Sequence, residues 1–117
     1  MATIKYDKLV RDKIPEIIFS KGSRAKVYIA NEIEYTVYLK KKLQEEVDEF
    51  IASPCVQELA DIQEVIFNIA TLNGWDEMLE EERAAKNLSR GSFSRRYILV
   101  EVSDNHDEED NHNRKGE

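Results

Sequence analysis

A chain of 117 residues, 41% hydrophobic and 35% charged, is long enough to bury one core and too short for two independent ones. No apolar run approaches the ~18 residues of a membrane span, the N-terminal stretch MATIKYDKLVRDKIP has no signal-peptide core, and the single Cys55 excludes an internal disulfide, so a cytoplasmic protein with no membrane partner is expected. The net charge of −7 argues against nucleic acid as the main partner, because such binders show a basic face.

In chain order, YDKLVRDKI (residues 6–14) precedes Pro15 and should form an extended arm, since proline pushes the preceding residue out of helical geometry. Pro15 then suits the first turn of a short helix that Gly22 ends, and KVYIA (26–30) has the composition of a short strand. Asn31 and Glu34 form a capping-box pattern ahead of a long helix over about 32–52. Ser53-Pro54 should stop that helix and start the next, with Ser53 as cap, Pro54 at the first helical position and Cys55 inside it. So short a connection forces an antiparallel helical hairpin whose second helix ends near Asn73-Gly74. Asp76 can cap a further helix from Glu77 to about Ser89, and RRYILVEV (95–102) reads as an edge strand. Residues 1–102 are therefore expected as one all-α domain with short extended ends. The last fifteen residues hold six acids against two bases and no apolar side chain, so 103–117 is expected to be a disordered acidic tail in which His106 and His112 are simply solvated.

The segment KLQEEVDEFIASPCVQELADIQEV concentrates acids where helix core is also expected. At about 100° per residue, Leu39, Leu43, Val47 and Phe50 make the apolar face of the first long helix, with Glu46 at its border, Glu49 and Lys42 on the same flank, and Asp48 opposite. On the second helix Leu59, Ile62, Ile66 and Ile69 make the stripe, with Glu58 at its margin and Asp61 on its flank. An antiparallel hairpin sets Glu46 and Glu49 against Glu58 and Asp61. Four ionised carboxylates in one partly desolvated cleft repel, so some are protonated or a cation neutralises them; Mg²⁺, with Mn²⁺ as a substitute, suits an all-oxygen site. Glu45 is explained equally well by i, i+4 pairing with its lysine neighbours.

Four segments in order, KLVRDKIPEII, KLQEEVDEF, ELADIQEVI and KNLSRGSF, resemble the MazG-like, all-α nucleoside triphosphate pyrophosphatase superfamily, in particular its phosphoribosyl-ATP pyrophosphohydrolase-like branch. The resemblance implies Mg²⁺-dependent cleavage of a nucleoside triphosphate between its α- and β-phosphates, giving a monophosphate and pyrophosphate. It implies Glu46, Glu49, Glu58 and Asp61 as metal ligands, and Glu45 as either a ligand or the residue that orients the attacking water. Any of the carboxylates Glu45, Glu46 and Glu49 can accept the proton of that water. Lys86 and Arg90 match a phosphate-contacting basic pair; Lys42 on the acidic flank and Lys8, Arg11 and Lys13 in the arm are further candidates, alternation placing Arg11 and Lys13 on one side, although Arg11 has the alternative of tying the arm to a helix. The resemblance also implies a homodimer or homotetramer that completes a four-helix bundle. Two competing expectations remain: the phosphoribosyl-ATP pyrophosphatase of histidine synthesis, and a non-catalytic helical nucleotide-binding or assembly module.

Overall fold

The structure is a computed structural model that describes residues 2–104, so the expected tail from residue 105 onward, with His106 and His112, lies outside it. The described residues form four helices, α1 (Ile14–Ser20), α2 (Glu32–Ala52), α3 (Val56–Leu72) and α4 (Asp76–Arg90), and no strand. The all-α class is as expected; the two expected strands are not. KVYIA and RRYILVEV are β-branched and aromatic, but such composition stabilises a strand only through side-chain pairing with a neighbour, and neither segment enters a ladder among the described residues. Among the described residues no helix is long and apolar enough to cross a membrane. The chain divides into two compact units, one through residue 76 and one from residue 77.

In the first unit, α2 begins as its sequence dictates. The Asn31 side chain accepts from the Glu34 N–H at 2.8 Å and the Glu34 carboxylate accepts from the Asn31 N–H at 3.3 Å, a complete capping box. Its end differs from expectation. Ser53 is the C-cap of α2, donating its N–H to the Glu49 carbonyl at 2.9 Å, and Cys55 is the N-cap of α3 with an exposed thiol and no side-chain cap bond. Pro54 thus sits in a three-residue connection, Ser53-Pro54-Cys55, rather than at the first position of α3. Lacking an N–H it cannot extend the ladder of α2, and it restricts Ser53 to the non-helical φ −149°, ψ 80° observed. At the other end of α3, Gly74 adopts φ +73°; its N–H donates to Thr71 and that of Trp75 to Ala70, a Schellman motif that ends the helix where the glycine predicts.

α2 and α3 pack as the expected antiparallel hairpin. The Tyr35 hydroxyl near the start of α2 reaches Asn68 near the end of α3 at 3.5 Å, and acids nearer the connection meet as described below. The core is small: Leu39, Val65 and Ala70 are buried, together with one charged residue, Glu46. On α3 the stripe is rotated from its expected position. Val65 faces α2, with Glu58, Asp61, Ile62 and Ile69 within about 60° of it, whereas the expected core residues Leu59 and Ile66 lie roughly 100–120° away and are 52% and 40% exposed. The cause is that α3 is apolar on two faces, and periodicity alone does not say which of them a single partner helix covers.

α4 starts at Asp76 itself, the last residue of the first unit and one residue before the expected start. Arg83 grips Glu80 one turn earlier through two hydrogen bonds of 3.0 and 2.6 Å, an exposed pair that holds the Glu80 carboxyl below its ordinary range.

Candidate metal centre

The hairpin brings the acids of both helices to one place. Glu45, Glu46 and Glu49 of α2 each offer an oxygen within 4.8 Å of the others, as do Glu46, Glu58 and Asp61, so Glu46 is shared by both groups. The i, i+3 spacing on each helix aims successive acids the same way, and the antiparallel crossing turns the two flanks toward each other. Glu46, expected at the border of the core, is buried to 5% exposure. Asp48 points away and accepts from Gln44, as its angular position requires.

Three cations meet these acids. Lys42, one turn before Glu46 and only 16% exposed, lies 3.2 Å from Glu46 Oε2 and 3.5 Å from Glu45 Oε2. Lys8 Nζ donates to Glu45 Oε2 at 3.3 Å, and Arg11 Nη2 donates to Asp61 Oδ1 at 2.6 Å. Among the described residues no cation pairs with Glu49 or Glu58. Five carboxylates against three cations leave two negative charges, the complement of one divalent ion.

Two atoms locate that deficit. Glu46 Oε1 and Glu58 Oε1 are both buried without a hydrogen-bond partner. A buried carboxylate oxygen with no protein donor has nothing in the chain to replace its solvation, a demand that a bound cation would meet. The Glu58 carboxyl is pushed above its ordinary range first by burial, then by the charges of Glu49 and Glu46, with a hydrogen bond to Glu49 and the charge of Asp61 adding to it. The donor set, oxygen throughout and partly buried, fits a hard divalent ion such as Mg²⁺ or Mn²⁺.

The other candidates are distributed differently. Lys42 stands inside the acidic cluster, not beside it. Arg11 ties the arm to α3, the simpler of its two expected roles. Lys13 has helical geometry (φ −92°, ψ 0°) as the N-cap of α1 and makes no ion pair among the described residues, because the chain turns at Asp12-Lys13, with the Ile14 N–H donating to Arg11 at 3.0 Å. That turn ends the extended arm earlier than expected and removes the strict alternation that would have grouped Lys13 with Arg11. Lys86 and Arg90 are exposed, one turn apart on α4 in the second unit. Lys8, expected in the arm with Arg11 and Lys13, does reach the acids, at Glu45. Alternation set it apart from Arg11, but Asp7 in the left-handed region (φ +49°) redirects the chain just before it. Comparison with protein-family models, curated proteins and solved structures finds no match for this chain.

Proposed function

We propose that the chain is a Mg²⁺-dependent nucleoside triphosphate pyrophosphohydrolase, cleaving the α–β phosphoanhydride to a monophosphate and pyrophosphate. One observation carries the reading: two buried carboxylate oxygens without partners, Glu46 Oε1 and Glu58 Oε1, in a cluster of converging acids. Glu46, Glu49, Glu58 and Asp61 would hold the metal, which supplies charge neutralisation for phosphate oxygens and a more acidic water. Glu45, paired with Lys8 and Lys42 through one oxygen, keeps its other oxygen to orient that water and take up its proton. Lys42 restrains Glu45 and Glu46 from the same helix, fixing their rotamers before substrate arrives. The MazG-like resemblance of the acidic motifs supports the same chemistry.

The assembly we propose is a homodimer or homotetramer. Val56, Leu59 and Ile66 line a shallow apolar groove on α3 on the face turned from α2, and Phe67 lies exposed beside it. A helix apolar on two faces needs two partners, and a second hairpin would complete a four-helix bundle.

The test is pyrophosphate release from a nucleotide panel, phosphoribosyl-ATP included, with Mg²⁺ or Mn²⁺. Release from at least one nucleotide, lost in Glu49→Gln and Asp61→Asn without loss of helicity, is the expected result; silence across the panel defeats the catalytic reading. The ion pairs from Lys8, Arg11 and Lys42 favour a second reading, a non-catalytic module whose acids are neutralised internally. That reading predicts no saturable effect of Mg²⁺ or Mn²⁺ on the melting temperature.

A further inference from the structure

We propose that Lys8 and Arg11 make the N-terminal arm a detachable cationic strap, which neutralises Glu45 and Asp61 while the metal is absent and exchanges them for a phosphate or pyrophosphate group once the metal is bound. The proposal rests on the pyrophosphohydrolase reading of the site.

Residues 2–13 belong to no helix, yet two of their side chains cross to the hairpin, Lys8 to Glu45 on α2 and Arg11 to Asp61 on α3. Asp7 turns the backbone ahead of them, and the Tyr6 ring lies 5.7 Å from the Lys8 ammonium. Both contacts end on acids less buried than Glu46. The deep oxygens, Glu46 Oε1 and Glu58 Oε1, receive nothing from the arm. The arm thus pairs Glu45 and Asp61 and leaves unpaired the exposed Glu49 and the buried oxygens of Glu46 and Glu58.

Lys42 and the arm cations differ in how they are held. Lys42 is anchored on α2 and largely covered, so it stays. Arg11 and Asp61 are 56% and 35% exposed, and an ion pair so exposed is worth at most about fivefold in an equilibrium constant. Asp61 also belongs to the converging group with Glu46 and Glu58. A divalent ion held by those carboxylates competes with Arg11 for Asp61 and repels the guanidinium at close range. A displaced Arg11 and Lys8 remain tethered at the rim of the site. Once the carboxylates are neutralised, the group they suit is an oxyanion, the guanidinium fork matching phosphate oxygens and the ammonium adding a point charge. The same two residues therefore serve the empty and the loaded site, and phosphate binding follows metal binding in order.

The test uses the full chain, Mn²⁺ and pyrophosphate, with calorimetry and with trypsin cleavage after Lys8 and Arg11 followed by mass spectrometry. The strap predicts that Mn²⁺ binds about two- to fivefold tighter to Lys8→Ala/Arg11→Ala, because a competitor is gone. It predicts that pyrophosphate binds the Mn²⁺-loaded variant about tenfold or more weakly than the loaded wild type. In the wild type, cleavage after Arg11 should accelerate on adding Mn²⁺ and slow again on adding pyrophosphate. Mn²⁺ binding that is unchanged or weakened in the variant, or cleavage indifferent to Mn²⁺, overturns the strap and leaves the metal site standing; a wild type that binds no Mn²⁺ removes both. Lys8→Ala alone, which spares the Arg11 pair, carries the same signs should the double variant fold poorly.

Discussion

Replacing Glu58 by glutamine should stabilise the metal-free protein at neutral pH, whereas the same change should remove most of the stabilisation that a divalent ion provides. The sign follows from the raised Glu58 carboxyl. A carboxyl whose folded-state pKa lies above its unfolded value takes up a proton on folding, so its contribution to stability is best at low pH. It worsens as pH rises from the ordinary 4.5 through the raised folded value. A glutamine at this position carries no charge to desolvate, and its amide can donate to the neighbouring carboxylates. The metal arm of the prediction has a calculable size. A ligand at a hundred times its Kd stabilises the folded state by about 2.7 kcal/mol. In a unit the size of Met1–Asp76, this raises the melting temperature by roughly 10–20 °C, at ~4–8 °C per kcal/mol. If loss of one carboxylate weakens the ion about a hundredfold, the same concentration gives only ~0.4 kcal/mol, a shift of ~2–3 °C. Differential scanning calorimetry at pH 5 and pH 7, with and without Mn²⁺, reads both effects. A metal-free Glu58→Gln that melts lower than wild type at pH 7, or a variant with an undiminished Mn²⁺ shift, refutes the account of Glu58 as a half-buried ligand.

Leu39→Ala, at a position 2% exposed in a core of very few residues, should cost about 2–5 kcal/mol by urea denaturation and show whether the hairpin core has any reserve. Asn31→Ala should cost about 1 kcal/mol by breaking the capping box, and Asn31→Asp should restore most of it in thermal melts. Leu59→Glu with Ile66→Glu should lower the mass seen by sedimentation while helical circular dichroism is kept, because these side chains are outside the hairpin's own core; an unchanged mass would exclude this face as the subunit contact.

The parts of the molecule legible in sequence are those set by near neighbours. The Asn31–Glu34 box and the Gly74 ending of α3 involve residues within a turn or so of one another, and backbone sterics or a local hydrogen bond determines each. The same holds for Glu46, Glu49, Glu58 and Asp61, because two i, i+3 pairs and a three-residue connection leave little freedom in where the acids point. The rotated face of α3 was not legible, since Val65 and Ile66 are equally apolar and only the partner helix chooses between them. Nor was the extent of Glu46 burial. Periodicity places a residue on a border but does not say how closely the neighbouring helix covers it.

The arm marks the limit of such reading, and it also changes the argument about the site. Arg11 and Asp61 are fifty positions apart in sequence and Lys8 and Glu45 thirty-seven, separations at which no periodicity applies. These pairs first weaken the case for a metal, because every internal cation reduces the charge that an ion must neutralise. Their placement then restores it. Had the cluster been a structural ion-pair network, the cations would be expected at the most buried oxygens, where desolvation is largest. Instead Lys8 and Arg11 engage the half-buried Glu45 and Asp61, Lys42 takes one oxygen of Glu46, and Glu46 Oε1 and Glu58 Oε1 remain buried and without a protein donor. Neutralisation that leaves these two buried oxygens without a protein donor is what a scaffold would avoid, and it supports the proposed site for a divalent cation.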